Sequence, residues 1–279
     1  MPIKLNRSGW PATIAKLFRA RPDPRLLMNS DIDSGSFSEA VSVLKFGTTF
    51  KTTAKYRYPD TIDAISRLKI EGHPTILDIG TSDGVTALDL IDRISCGKYF
   101  ATDLNTEVRC QTIGGSTYFY DHNNDCMLIA SDRLLVYAEL DDAWVPLGAI
   151  AKSLLAKSPA VTPESAVIPL VNPGLAQRAG PIEFCRYDMF TPWQGDKADI
   201  TIAANILNRA YFSDEQILSA LANMIEATKS NGFLVLVDNR AKEQSSVVRL
   251  GHDQLEIVQE IGGGTEIRNL ILSFASPRS

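Results

Sequence analysis

From Thr75 onward the chain alternates short apolar runs with stretches of helical periodicity, and this constrains the fold of its 279 residues more than anything else in them. Strands that alternate with helices build a mostly parallel sheet, because each parallel pair needs a long crossover that is usually a helix. The pattern predicts strands over Thr75–Ile79, Lys98–Thr102, Ile182–Arg186, Ala198–Ala203 and Phe233–Val237. Two of these, Thr-Ile-Ala-Ala and Phe-Leu-Val-Leu-Val, lack polar alternation, as strands buried on both faces do. The fold class expected is therefore α/β.

Between the second and third of these strands lie about 80 residues, far more than one crossover helix requires. Ser116–Asp121, Asp125–Ala130 and Leu134–Leu140 read as strands separated by the turn formers His-Asn-Asn and Ser-Asp-Arg. A helix over Leu147–Lys157 and a proline-rich loop to Pro181 follow, so a β-rich insertion is expected at about 111–181. Residues 1–70 read as helices and loops broken by Pro11, Pro22, Pro24 and Pro59, forming an N-terminal helical region or lid ahead of a core over 71–279. Ile62, Ile65 and Leu68 form the stripe of a helix over Asp60–Leu68.

Toward the C-terminus, Ser213 and Gln216 make a capping box. Ile217, Leu218, Leu221, Met224 and Ile225 continue that helix to a stop at Asn231-Gly232. A further helix is expected near Ala241–Arg249. Two antiparallel strands, Leu255–Ile261 and Ile267–Phe274, are then expected on either side of Gly262-Gly263-Gly264.

The net charge of −5 is unevenly distributed: residues 1–25 hold six basic residues against Asp23, so this arm is +5 and the rest of the chain −10. A basic arm can touch nucleic acid or anionic lipid. The plainer expectation is a solvated helix with Ile14, Leu17 and Phe18 packed inward, and nucleic acid is not an expected partner. Cys96, Cys110, Cys126 and Cys185 contain no C-x-x-C pair and have only three histidines to help them, so neither a metal site nor a disulfide framework is expected. No run reaches the roughly 18 apolar residues of a membrane span and no signal-peptide core opens the chain, which points to a cytoplasmic protein without an integral membrane segment.

The densest chemistry lies in T-I-L-D-I-G-T-S-D-G-V-T-A-L, from Thr75. A strand runs to Asp78, a loop carries Gly80 and Gly84, and a helix begins near Ser82 or Asp83. Glycines allow close backbone approach to a ligand, and a helix N-terminus offers free N–H groups. Asp78 precedes the glycines, where a carboxylate repels a pyrophosphate but suits an ammonium group. A nicotinamide fingerprint instead opens with glycine and keeps its acid about 20 residues later. Here both acids are present, since Asp103 follows the second strand.

On D-I-G-T-S-D-G and Y-F-A-T-D-L-N the chain resembles the class I S-adenosylmethionine-dependent methyltransferases, over roughly residues 70–275. The resemblance implies a doubly wound, seven-stranded, mostly parallel sheet of order 3-2-1-4-5-7-6 with an antiparallel last strand. It also implies S-adenosyl-L-methionine as cofactor, with Asp78, Gly80, Ser82 and Gly84 at the methionine end and Asp103 on the ribose hydroxyls. Ser82 stands where the family's motif has its middle glycine. Asp188 would accept from the adenine amine, and Met189 and Phe190 would lie against the ring. After the fourth strand, N-I-L-N-R-A-Y-F is similar to a run in chemotaxis receptor methyltransferases. It places Asn205 at the cofactor and substrate edge, with Tyr211, and with Asn208 beside it, as substrate-side groups.

The reaction implied is in-line methyl transfer to a small-molecule acceptor. Protein carboxyl methylation and a non-catalytic cofactor-binding module of the same fold are the alternatives. A homodimer is compatible with either. His122, His252 and Tyr211 are the available bases, but no spacing ties either histidine to the site.

Overall fold

The computed structural model describes residues 2–47, 49–138, 145–178, 180–239, 242–251 and 254–275. In chain order the strands begin with β1 (Ile3–Leu5), β2 (Lys45–Phe46), β3 (Thr49–Phe50), β4 (Thr75–Ile79) and β5 (Lys98–Asp103). Then come β6 (Glu107–Ile113), β7 (Ser116–Tyr120), β8 (Cys126–Ala130), β9 (Leu134–Tyr137) and β10 (Ala166–Pro169). The last five are β11 (Ile182–Arg186), β12 (Ala198–Ala204), β13 (Thr228–Asn239), β14 (Glu243–Leu250) and β15 (Leu255–Ile261). The helices are α1 (Ala12–Leu17), α2 (Ser34–Val41), α3 (Pro59–Ser66), α4 (Val85–Ile91), α5 (Val145–Ala156), α6 (Pro173–Ala176), α7 (Asp214–Ala227) and α8 (Arg268–Ala275).

The chain divides into two compact units, one of residues 1–53 with 105–176 and the other of 54–104 with 177–279. This differs from the boundary expected at residue 70. The N-terminal strand β1 pairs antiparallel with β9, Ile3 opposite Val136, so the first residues belong to the same sheet as the insertion. That sheet has six strands in the order β1-β9-β8-β7-β6-β10. Its meander is therefore longer than the three expected strands, because β6 starts directly after β5 and β10 returns antiparallel to β6. One core of this unit joins Phe37, Val41 and Leu44 to Val108, Phe119, Leu128 and Leu135. A smaller cluster packs Ala151 and Leu155 of α5 against Val136.

Leu17 and Phe18 do not pack inward as expected: they are 75% and 65% exposed. Helix α1 is only six residues long and buries Ala15 alone, too short to lay an apolar stripe on a neighbour.

In the second unit the sheet order is β11-β5-β4-β12-β13-β14-β15. The first five positions are parallel and reproduce the 3-2-1-4-5 portion of the expected order. The end of the sheet is different. β14 is antiparallel to β13 and β15 antiparallel to β14, so the sheet closes as a meander, and the antiparallel strand is the penultimate one rather than the last. The helix expected near 241–249 is instead strand β14, paired antiparallel with both β13 and β15. Ser245, Ser246, Val247 and Val248 are all buried, so neither face alternates.

The strand expected over Ile267–Phe274 is helix α8. Ile267, Leu270 and Ile271 form a helical stripe that joins Leu221 and Met224 of α7 in the core. The three glycines therefore lead from β15 into a helix rather than closing a hairpin. Helix α7 keeps its capping box but stops at Ala227, and β13 begins at Thr228, so Asn231-Gly232 lies within the strand.

Period-two alternation along β4 divides the two faces of this sheet. Leu77 and Ile79 join the α7 and α8 core. Asp78 lies in the opposite layer, among Tyr58, Ile62, Ile65, Leu90 and Ile202. Among the described residues no helix is long and apolar enough to cross a membrane.

Candidate active site

The register of the parallel strands brings the sequence-predicted residues to one edge of the second unit's sheet. Ile79 stands opposite Thr102 and Ala203, and Arg186 opposite Asp103. The ends of β4, β5, β11 and β12 thus carry Asp78, Asp103, Asp188 and Asn205 at the same level. Between β4 and β12 the strand order reverses, which is where open α/β sheets leave a crevice for ligands.

The loop after β4 is fastened to β5. The Gly80 and Thr81 N–H groups both donate to the Thr102 carbonyl, at 2.8 and 2.9 Å. The Ser82 N–H donates to Asp103 Oδ2 at 3.0 Å, and the Thr102 hydroxyl donates to the Asp78 carbonyl at 3.0 Å. Gly80, Ser82 and Gly84 have φ of +72°, +61° and +81°. Glycine is required at position 80 for a second reason, since a Cβ there would lie 2.5 Å from the Ile206 side chain. Ser82 holds a left-handed conformation that strains any residue with a Cβ. That explains the expectation of glycine at its position. Gly84 caps α4, so the helix starts slightly later than expected.

The two acids occupy different environments. Asp103 is 9% exposed at the strand end and binds the loop backbone. Asp78 is 4% exposed and accepts from the Tyr99 hydroxyl at 2.9 Å. Burial pushes the Asp78 carboxyl up to about 6, against the pull of the Tyr99 and Thr81 hydroxyls, with the nearby Asp103 adding to the rise. Burial, with Asp78 alongside, holds the Tyr99 phenol well above its ordinary value, and the same two causes raise Tyr58.

Tyr58, Thr86 and Tyr99 line the space around Asp78 and belong to no motif in the sequence. A tyrosine on the same strand face as a buried acid is the available signal, because a buried phenol needs a hydrogen-bond partner.

Asp188 follows β11, is half-buried, and accepts from the Phe190 N–H at 3.0 Å, which makes a turn of Asp188–Thr191. Met189 is half-buried and its carbonyl accepts from Asn223 at 3.0 Å. The Phe190 ring meets Phe212 edge-on at 5.3 Å, so the segments after β11 and β12 touch. Asn205 has φ +60° and its N–H donates to the Val237 carbonyl at 2.8 Å. Asn208 is buried as a turn cap: its side chain accepts from the Ala210 N–H at 3.0 Å, and its carbonyl takes the Tyr211 and Phe212 N–H groups. Tyr211 is 47% exposed beside Phe212. Arg209 fixes this loop by bonding Asp214 at 2.7 Å, Asn269 at 3.0 Å and the Glu266 carbonyl at 2.9 Å. His122 lies exposed in the β7–β8 turn of the other unit, and His252 lies outside the described residues.

The donor set at this edge suits an organic cofactor. Among the described residues no group of three or more His, Cys, Asp and Glu side chains is placed to hold a metal ion. A carboxylate at the end of β5 matches a vicinal diol, and half-buried Met189 and Phe190 match a flat heterocycle.

No protein-family model matches the chain, and no curated protein does. Solved structures similar to it include an O-methyltransferase family protein from Burkholderia thailandensis, at 12% identity and TM-score 0.34 over 64% of this chain and 37% of that one. Another is a SAM-bound amino pentose methyltransferase from Micromonospora echinaspora, at 15% identity and TM-score 0.32 over 68% of this chain and 61% of that one. A third is the N-methyltransferase NodS from Bradyrhizobium japonicum, at 13% identity and TM-score 0.32 over 65% and 68%. The chain spans 37% of the first of these and 61% of the second, less than two thirds of either.

Proposed function

We propose that this chain is an S-adenosylmethionine-dependent methyltransferase acting on a small-molecule acceptor in the cytoplasm. The observation that carries the reading is the Gly80–Gly84 loop at the sheet's reversal point, tied through the Ser82 N–H to the acid that ends β5. Asp103 holds the ribose hydroxyls. Asp188 accepts from the adenine amine while Met189 and Phe190 lie against the ring. Asp78 supplies negative charge beneath the loop, which suits the ammonium of the methionine end and disfavours a pyrophosphate.

The cofactor, when bound, supplies a methyl group on a sulfonium leaving group. The chain's own work is alignment and exclusion of water. Asn205 orients the acceptor at the end of β12, and Tyr211 flanks it on the substrate side. A carboxylate acceptor needs no base, whereas an alcohol must lose a proton.

Calorimetric titration of S-adenosylmethionine into the purified chain tests this. Binding is expected, with Asp103→Ala weakening it by about a hundredfold, as expected for losing a charge-assisted bidentate contact of ~3 kcal/mol. Absence of binding, or an unaffected Asp103→Ala variant, would overturn the reading. Incubating lysate with methyl-labelled cofactor and finding label in protein rather than in small molecules would overturn the choice of acceptor class.

A further inference from the structure

The basic arm singled out in the sequence is not absorbed by the proposed methyl transfer. In the first unit, residues 7–21 leave the sheet and return beside the point of departure. The Arg7 N–H donates to the Arg21 carbonyl at 2.7 Å, and the Arg21 N–H to the Leu5 carbonyl at 2.8 Å. The base of this excursion is rigid. Asn6, fully buried, donates to the Ser131 carbonyl at 2.8 Å, and the Ser8 hydroxyl donates to Asp23 at 2.7 Å. The Trp10 indole donates to the Arg133 carbonyl at 2.9 Å, under the Arg133 guanidinium 5.5 Å from the ring centre. Gly9 runs so close to the Asp132 carbonyl that a side chain there would collide with it.

At the far end, α1 terminates in two adjacent large apolar side chains facing water, Leu17 and Phe18, 75% and 65% exposed. Exposed Lys16 and Arg19 flank them, and no acid occurs between Arg7 and Asp23. Among the described residues neither cation is ion-paired, whereas Arg7 pairs with Glu39, and Arg25 with Asp23 and Asp132. Leaving Leu17 and Phe18 in water forgoes the burial that normally stabilises such side chains, so their exposure on a firmly held base calls for an apolar partner.

We propose that the Lys16–Arg19 tip is an anchor for the surface of an anionic lipid bilayer, with Leu17 and Phe18 entering the acyl boundary and Lys16 and Arg19 meeting the headgroups. Apolar side chains bracketed by Lys and Arg are the chemistry of interfacial membrane segments. Charge complementarity selects this occupant over the others. A two-fold contact between copies of the chain would bring Lys16 and Arg19 of each copy against their like. A nucleic-acid strand would use the cations and a stacked aromatic but gains nothing from Leu17.

Flotation of the full chain with vesicles of phosphatidylcholine, with and without phosphatidylserine, tests the proposal. Binding to the serine-containing vesicles is expected, weakened by salt because the cations act through a screened field. L17S/F18S is expected to reduce partitioning by about tenfold or more, and K16E/R19E to abolish the preference for phosphatidylserine. All four positions are exposed, and unchanged circular dichroism and thermal midpoints establish that the variants fold. Three results would overturn the proposal: no partitioning of the parent chain, partitioning unchanged in L17S/F18S, or loss only in I150S/L154S, whose exposed apolar pair lies on α5. A sedimentation shift from dimer to monomer in L17S/F18S would also overturn it, by assigning the tip to a second copy.

Discussion

The six-stranded sheet of the first unit is antiparallel throughout and is assembled from two stretches separated by residues 54–104, whereas five neighbours of the second unit's sheet run parallel. Hairpin connectivity scatters strand ends over both edges. Parallel connectivity collects the carboxyl ends of β4, β5, β11 and β12 on one edge, and three acids and an asparagine arrive there together. Polar residues buried in the first unit act instead as fasteners. Asn172, fully buried, accepts from the Ser34 hydroxyl at 2.6 Å and the Gly174 N–H at 2.9 Å, and donates to the Ser34 carbonyl at 3.0 Å and the Ser38 hydroxyl at 2.9 Å. Buried polarity fastens the chain in the second unit too, where the Thr265 hydroxyl donates to Asp238 at 2.6 Å, but only that unit also gathers acids along one strand edge.

Asn172→Ala probes that contrast most strongly. It removes four hydrogen bonds made by a fully buried amide, which costs about 3–4 kcal/mol. Trp10 lies in the first unit and Trp193 in the second, where its ring packs edge-on against Phe100 at 5.1 Å. Denaturant titrations of variants retaining one tryptophan each would therefore report the units separately. The expectation is a lower midpoint for the Trp10 signal with the Trp193 signal unmoved. Equal shifts in both would make the units one cooperative block and break the comparison.

The same contrast governs how much was legible in the sequence. The parallel strands announced themselves because burial on both faces leaves Ile200, Ile202, Leu234, Val235 and Leu236 in near-continuous apolar runs. The carboxyl-edge residues were found because Asp78, Gly80, Ser82 and Gly84 are local in sequence and Asp103 ends the next strand. β1 could not be placed in the same way: its pairing of Ile3 with Val136 spans almost half the chain and leaves no local trace. β14 carries no strand signature, because its buried Ser245–Val248 show no period of two. α8 had a legible stripe at Ile267, Leu270 and Ile271, which the glycine run obscured by resembling a hairpin turn. Tyr58 and Tyr99 become partners of Asp78 only through tertiary packing.

Asp78 offers the next largest effect. Its folded carboxyl titrates at about 6 against an unfolded value near 3.8, so the native state binds the proton more tightly. The sign follows: this group's contribution to stability is fully present below about pH 4, is lost as pH rises through about 6, and amounts to ~3 kcal/mol. Subtracting the stability profile of Asp78→Asn from that of the parent chain isolates the term. The difference should change between about pH 4 and about pH 6 and be flat above. Affinity for S-adenosylmethionine should move the opposite way, falling as pH drops through about 6, because the protonated acid no longer attracts an ammonium. A flat difference profile would mean that burial does not raise the Asp78 carboxyl.

Ser82→Gly is the mildest and most local test. At φ +61° the serine Cβ costs about 1–2 kcal/mol relative to a conformation it prefers, and glycine removes that cost. Glycine in turn loses more backbone freedom on folding, by roughly 0.5–1 kcal/mol, so a net gain of between zero and about 1.5 kcal/mol is expected. The bond to Asp103 comes from the Ser82 backbone N–H and survives the substitution, so cofactor affinity should stay within about twofold. The thermal midpoint and the calorimetric dissociation constant check the two halves separately. A variant that loses more than about 1 kcal/mol would show that bonding by the serine hydroxyl outweighs the backbone strain. In that case the serine hydroxyl would fasten the loop as the Asn172 amide fastens its neighbours in the first unit.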